Sequence, residues 1–138
     1  MDIFMIIKVV AALIEKDGKF LIAKRYTGDQ SVFGKWEFPG GKVEENEDEF
    51  SAIEREIKEE FELDVKACEF LVNNVCRYPN KVVDLRLYRC EYTSGDFKLH
   101  DHSEYAWVNM NEIFDYDLAL ADIPLARYII KNMSENKL

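Results

Sequence analysis

The sequence predicts one mixed α and β domain that spans residues 1–138, and three observations support this prediction. Hydrophobic residues make up 48% of the chain, with nine Phe and seven Tyr, so a single domain of this length can fill a core. A long amphipathic helix pattern lies among several runs of β-branched and aromatic residues that are typical of strands. No repeat, low-complexity tract or linker divides the chain.

The first predicted elements form a β-hairpin. Ile6–Ile14 and Phe20–Lys24 are apolar runs, and the turn residues Asp17-Gly18 lie between them. A charged residue interrupts the first run and no small-residue cleavage site follows, so we expect a core strand and no signal peptide. A polar loop, Tyr26–Lys35, then leads to a short aromatic strand.

The next predicted element is a helix over Glu47–Phe61, a segment without Gly or Pro. Apolar residues recur there at spacings of three and four, and acidic residues crowd the first turn, where the helix dipole favours them. The expected apolar stripe consists of Phe50, Ile53, Ile57 and Phe61. Three acids share a neighbouring face, namely Glu56, Glu59 and Glu60.

Carboxylates grouped in this way repel one another. Two unit charges about 4 Å apart repel by about 4 kcal/mol at an effective dielectric constant of 20. A divalent cation removes this cost, and oxygen ligands without His or Cys suit Mg²⁺ or Mn²⁺ better than zinc. A solvated acidic face is the alternative interpretation. The turn Pro39-Gly40-Gly41 favours the cation, because adjacent glycines let the backbone approach a metal or phosphate.

The second half of the chain predicts further strands and a final helix. Asp64–Val75 and Lys81–Glu91 form a strand pair with a turn at Tyr78-Pro79-Asn80. A loop, a strand, a short helix and a last helix are expected at Thr93–His102, Tyr105–Val108, Asn111–Phe114 and Pro124–Met133. The polar tail after the last helix is expected to fray.

The turn and the acidic helix together form one extended motif. Gly41 is followed after five residues by Glu47, and after seven more by the hexapeptide Arg55–Glu60, which reads REIKEE. This pattern over residues 41–63 resembles the box of the Nudix hydrolase family. One position departs from it, because Glu62 stands where the box ordinarily has Gly. A left-handed helix cap at a residue other than Gly costs roughly 1 kcal/mol, which a packed domain absorbs.

The resemblance implies an α+β Nudix fold, an α/β/α sandwich with a mixed central β-sheet. The similarity is greatest to the MutT-like group, which includes oxidised-nucleotide and cytidine-triphosphate pyrophosphatases. It implies Mg²⁺-dependent hydrolysis of a nucleoside triphosphate to the monophosphate and pyrophosphate, with Mn²⁺ as a substitute metal. Three alternatives stay open: a nucleotide-sugar hydrolase, a dinucleoside-polyphosphate hydrolase, and a nucleotide-sensing module without catalysis.

The resemblance also assigns roles to residues of the motif. The implied metal ligands are the carbonyl of Gly40 and the carboxylates of Glu56, Glu59 and Glu60. Glu47 and Arg55 are expected to support the geometry of the loop and helix. Asp101 lies where relatives place a further acid near the metal, so the general base is either a helix glutamate or Asp101. His100 and His102 lack the remaining ligands of a zinc site and are interpreted as loop residues.

Five residues outside the helix are candidates for substrate binding: Arg25, Glu37, Phe38, Tyr78 and Asp122. Arg25 is either a clamp on a phosphate or a surface ion pair. Asp122 is either a contact to the edge of the base, as the resemblance implies, or the N-cap of the last helix. Phe38 and Tyr78, together with Phe33, are candidates for stacking on the base or for core packing.

Charge and cysteine usage set the expected partners. The net charge is −9, and residues 41–64 alone carry −8, so the acidity belongs to the motif. This distribution argues against binding to a nucleic-acid duplex or an anionic membrane. The three cysteines are odd in number and have no CxxC spacing, so we expect buried, reduced thiols in a cytoplasmic protein. A small nucleotide is the expected partner, for a monomer or homodimer.

Overall fold

The computed structural model describes residues 5–26 and 33–133. Within these ranges, seven strands form one sheet, one more than the roughly six expected. The strands are β1 (Met5–Lys16), β2 (Lys19–Arg25), β3 (Trp36–Glu37), β4 (Gly40–Lys42), β5 (Asp64–Tyr78), β6 (Lys81–Ser94) and β7 (His102–Val108). The helices are α1 (Glu49–Phe61) and α2 (Ile123–Met133), with 3₁₀ turns at Met110–Asp115 and Leu120–Asp122.

The sheet is mixed, as the sequence predicts. β1 runs parallel to β6, while its pairs with β2 and β4 are antiparallel. β5 pairs with β6, and β2 pairs with both β3 and β7, all in antiparallel fashion. The resulting order is β3-β2-β1-β6-β5, with β4 attached to β1 and β7 attached to β2. The long central strand β1 therefore connects the glycine turn to the rest of the sheet.

Helices cover both faces of the sheet. Alternate side chains of a strand point to opposite faces, so β1 contributes to two cores. On one face, Ile53 and Phe61 of α1 pack with a β1 set that includes Val10 and Ile14. On the other face, Leu125 of α2 packs with a set that includes Leu13 of β1. Burying each large apolar side chain contributes roughly 1.5–3 kcal/mol, and the predicted α/β/α sandwich is confirmed.

Helix α1 begins two residues later than predicted. The Asp48 side chain accepts a hydrogen bond of 2.9 Å from the Ser51 N–H, so Asp48 is the N-cap. Glu47 therefore lies in the preceding loop. The predicted apolar stripe is also shifted, because Phe50 is 44% exposed and Ala52 is buried in its place.

The end of α1 keeps a left-handed cap without glycine. Glu62 has φ 57° and ψ 32°, and its N–H donates to the Lys58 carbonyl at 3.0 Å. Its carboxylate lies 2.9 Å from His100 Nε2, in the loop before β7. The left-handed cap is thus kept without glycine, and the side chain that replaces glycine gains a contact with this loop.

Several other boundaries differ from the prediction. β5 continues to Tyr78, so the turn of this hairpin is only Pro79-Asn80. The turn was expected at Pro39-Gly40-Gly41, but its two glycines begin strand β4, because β1 provides an antiparallel partner for Gly40–Lys42. The short helix is a 3₁₀ helix, and α2 begins at Ile123. Most of the predicted polar loop (27–32) and the polar tail (134–138) lie outside the described residues.

The cysteines differ in burial. All three cysteines are free, but only Cys90 is fully buried, whereas Cys68 and Cys76 are partly exposed. The expectation of buried thiols therefore holds for one of the three.

Neither helix of the described ranges has the length and apolar character needed to cross a membrane.

Candidate active site

The glycine turn and helix α1 are in direct contact. A Cβ atom on Gly40 would overlap the carbonyl oxygen of Val10 in the neighbouring strand. A Cβ atom on Gly41 would overlap the carboxylate of Glu56. Both positions therefore need glycine, the first for strand pairing and the second to let the helix carboxylate lie against the turn.

Arg55 organises the acids at the start of the site. Its guanidinium grips Glu47 at two points, with Nε to Oε2 at 2.7 Å and Nη2 to Oε1 at 2.8 Å. Its Nη1 donates to Glu59 Oε1 at 2.8 Å and to Glu56 Oε1 at 3.0 Å. The hydrogen bonds from Arg55, and then from the Glu44 backbone, lower the pKa of Glu47 to about 2. The same partners raise the pKa of Arg55, so this ion-pair group stays charged.

Glu56 and Glu60 are half-buried, whereas Glu59 is exposed. Burial raises the pKa of Glu56 above its usual value, although Arg55 opposes the shift. Burial, followed by the hydrogen bond and charge of Asp101, raises the pKa of Glu60 to about 7. Asp101 is therefore close enough to Glu60 to act on its pKa. These shifts show carboxylates whose negative charge is poorly neutralised by the protein alone.

The donor set fits a divalent metal. Glu60 Oε2 is buried and has no hydrogen-bond partner within residues 5–26 and 33–133. Apart from His102 Nδ1, which lies 3.9 Å from Glu60 Oε2, the candidate donors of the site are hard oxygens, the kind that Mg²⁺ and Mn²⁺ prefer. Among the residues that the structure describes, no three His, Cys, Asp or Glu side chains form a complete metal cage. Three of the acids at this site, Glu47, Glu56 and Glu59, accept hydrogen bonds from Arg55.

A second cluster, formed by Arg25, Glu37 and His102, lies next to Glu60 at the point where β7 begins beside β2. His102 is only 4% exposed, and its Nε2 lies 2.9 Å from Glu37 Oε2. Arg25 Nη1 donates to the same oxygen of Glu37 at 3.3 Å. The interpretation of His102 as a loop residue is therefore wrong, since it is a buried strand residue. The available signal was its even spacing from Val108, which is buried on the same strand.

Two cavities adjoin these clusters. The larger one measures about 370 Å³ and has mainly apolar walls. The smaller one measures about 200 Å³ and lies at the glycine turn, next to Arg25. Glu37 and Asp122 line both cavities. Other residues of the larger cavity include Val9, Cys76, Tyr78, Val83, Leu85 and Leu120.

Asp122 is the buried acid of the cavity wall. It is 5% exposed, and its Oδ2 accepts a hydrogen bond of 2.9 Å from the Phe38 N–H. Burial, followed by the charge of Glu37, raises the pKa of Asp122 to about 8. The N-cap interpretation is wrong, because this carboxylate bonds a strand-end backbone group far away in sequence.

The aromatic candidates have separate positions. Phe38 is buried in the core on the α2 side, so its side chain packs there, and its N–H holds Asp122. Tyr78 lines the larger cavity. Phe33 is 56% exposed and lines neither cavity. Tyr78 is thus the aromatic candidate at the larger cavity, while Phe38 also lines the smaller one.

A three-layer sandwich with a glycine turn against an acid-rich helix is the architecture of a Nudix-type hydrolase. The NUDIX domain model matches residues 6–132, and the chain belongs to the NUDIX family. The predictions of the family, the enzyme class and the fold are confirmed. Proteins of this family generally use divalent metal ions.

Named relatives and solved structures agree with this assignment. A CTP pyrophosphohydrolase of Escherichia coli (strain K12) is 37% identical over 119 residues, which cover 86% of this chain and 87% of that protein. A putative 8-oxo-dGTP diphosphatase 2 of Mycobacterium tuberculosis is 33% identical and covers 83% of this chain and 81% of its own length. The solution structure of the E. coli ORF135 protein superposes with a TM-score of 0.85 at 32% identity, covering 96% of this chain and 94% of that chain.

Proposed function

We propose that this protein hydrolyses a nucleoside triphosphate to the monophosphate and pyrophosphate, with Mg²⁺ as the metal and Mn²⁺ as a substitute. The observation that carries the proposal is the position of the acids of α1, which lie against the glycine turn beside a cavity lined by Glu37 and Asp122. The names of the relatives, a CTP pyrophosphohydrolase and an 8-oxo-dGTP diphosphatase, support this substrate class. We further propose that residues 1–138 act as one domain.

The residues proposed to hold the metal are Gly40, Glu56, Glu59, Glu60 and Asp101. A bound divalent ion would offset the charge of the phosphates and make the attacking water more acidic. A helix glutamate, Glu56 or Glu59, accepts the proton of that water, since both carboxylates lie together at Arg55 beside the proposed metal position. The water oxygen bonds to phosphorus, and the bond from phosphorus to the departing pyrophosphate oxygen breaks.

The remaining candidates orient the site and the substrate. Arg55 and Glu47 keep the loop and helix in register through their two-point ion pair. Arg25 lies beside the smaller cavity, where its guanidinium can bind a phosphate. The larger cavity then receives the base, with Tyr78 as an aromatic wall and Asp122 as a polar group. Pyrimidine triphosphates and oxidised or methylated dNTPs are the proposed substrates.

The test is the release of phosphate and pyrophosphate from a nucleotide panel, with and without Mg²⁺. The panel contains CTP, 5-methyl-dCTP, 8-oxo-dGTP, ADP-ribose and diadenosine polyphosphates. We expect metal-dependent pyrophosphate release from a triphosphate, with large losses in Glu56→Gln and Glu59→Gln. Glu45→Gln is the matched control, because Glu45 is an exposed acid of the preceding loop.

Other outcomes would contradict the proposal. Turnover of ADP-ribose or diadenosine polyphosphates with inert triphosphates would assign the protein to those alternatives. Nucleotide binding without turnover of any compound would make it a sensing module. Equal losses in Glu45→Gln and Glu56→Gln would show that the acids of the helix have no special role.

A further inference from the structure

The structure places one imidazole between the acidic helix and the nucleotide cavities. His102 is the first residue of β7, and it is buried. Its ring stacks on Phe61, with centroids 5.1 Å apart and an angle of 25° between the planes. Phe61 is the last residue of α1, so the ring is held against the end of that helix.

One nitrogen of the ring contacts a residue that lines the cavities. His102 Nε2 and Arg25 Nη1 both approach Glu37 Oε2, at 2.9 and 3.3 Å. The guanidinium of Arg25 can only donate, so Glu37 Oε2 is an acceptor. The His102 Nε2 atom, which approaches the same oxygen, is therefore also a donor. Because Glu37 lines both cavities, this hydrogen bond fixes a wall of the nucleotide site.

The other nitrogen faces the helix. His102 Nδ1 lies 3.9 Å from Glu60 Oε2. Both atoms are buried, and neither has a hydrogen-bond partner in the described part of the chain. Buried polar atoms without partners are uncommon in folded proteins and often mark functional positions. These two atoms face each other, and a direct hydrogen bond between them needs one proton on either atom, because Nε2 already uses a ring N–H to bind Glu37.

We propose that His102 is a positioning residue that holds Glu60 on the metal side and Glu37 on the nucleotide side of the site. The proposal rests on the proposed function, since it assigns the two carboxylates to metal and substrate. It does not depend on turnover, because the geometry of the imidazole is a property of the protein alone. Groups that orient metal ligands typically change metal affinity by 10–100-fold when they are replaced.

Three substitutions separate the two contacts. His102→Gln places an amide nitrogen near the position of Nε2, so it keeps the Glu37 contact and loses the one to Glu60. His102→Asn places its nitrogen near Nδ1 and does the reverse. His102→Phe keeps a ring against Phe61 and removes both nitrogens. His100→Asn is the control, because His100 is the other of the two histidines in the chain and its side chain is half exposed.

The first measurement is the Mn²⁺ dissociation constant of the protein without nucleotide, by electron paramagnetic resonance. The second is KM and kcat for the triphosphate with the highest turnover in the nucleotide panel. We expect His102→Phe to weaken Mn²⁺ binding about tenfold or more and to raise KM. His102→Gln should weaken Mn²⁺ binding with little change in KM, and His102→Asn should raise KM with little change in Mn²⁺ binding. His100→Asn should change neither quantity.

Two results would overturn the proposal. One is wild-type Mn²⁺ affinity in a His102→Phe protein whose thermal unfolding shows that it is folded. The other result is that His102→Gln and His102→Asn change Mn²⁺ affinity and KM in the same way as each other. This second result decides the question if His102→Phe fails to fold. A wild-type protein that turns over no nucleotide would refute the proposed function, while the Mn²⁺ measurement would still test the role of His102.

Discussion

Replacement of Asp122 by Asn is expected to change the pH dependence of stability. Burial and the charge of Glu37 raise the pKa of Asp122 from 3.8 to about 8. Between these values the folded protein binds a proton that the unfolded chain has released. The stabilising contribution is complete below pH 3.8 and is lost as the pH rises through about 8. The free energy of unfolding of the wild type should therefore fall across this window.

The size of the effect follows from one proton. A difference of one bound proton gives a slope of about 1.4 kcal/mol per pH unit, or at most roughly 2.7 kcal/mol from pH 5 to pH 7. Local relaxation around a buried charge reduces this ceiling, so we expect about 1–2 kcal/mol. The Asn side chain keeps an oxygen that can accept the hydrogen bond from the Phe38 N–H.

The assay is urea unfolding of the wild type and Asp122→Asn at pH 5, 6 and 7. The difference between the two proteins is the informative quantity, because the raised pKa of Glu60 affects both in the same way. Asp117→Asn, which removes an exposed carboxylate, controls for the change in net charge. Parallel stability curves for the wild type and Asp122→Asn would refute a proton held by Asp122.

Three further changes test the site and the core. Gly41→Ala drives a methyl group into the Glu56 carboxylate, so kcat should fall tenfold to about 100-fold in steady-state assays. An unchanged kcat would show that the position of this carboxylate does not matter. Ile57→Ala opens a cavity in the core beneath α1 and should cost about 2–5 kcal/mol in urea unfolding, while a cost below about 1 kcal/mol would contradict the packing. Arg55→Lys keeps the charge but loses the planar fork, so kcat should fall about tenfold in a protein that is folded by circular dichroism. Full activity of this variant would show that the fork is not required.

Local patterns predicted the helix of the site well, and the errors have identifiable causes. The spacing of Ile53, Ile57 and Phe61 repeats with the helix, so the buried face is visible in the sequence. The start was wrong because Asp48 caps the helix with its side chain, a local competition that periodicity does not show. The strand at Gly40–Lys42 was missed because its hydrogen-bond partners belong to β1.

The cavity residues were the harder part. Asp122 bonds to Phe38 across 84 positions of sequence, a contact that neither of its two interpretations, base contact or N-cap, anticipated. His102 contacts Glu37 across 65 positions, and its even spacing from Val108 indicates a buried position but not this partner. Both contacts arise where β3 and β7 lie beside β2, so they depend on strand pairing that is set by the whole sheet.

The sequence by itself determined the family, the acidic helix and the pair of glycines before it, because these features depend on spacings shorter than one helix and one loop. The tertiary structure alone decided which acids become buried, which of them Arg55 holds, and which histidine lies between the helix and the cavities. The physical reason is that burial and hydrogen bonding depend on neighbours brought in from distant strands. The pKa shifts of Glu60 and Asp122 follow from those neighbours.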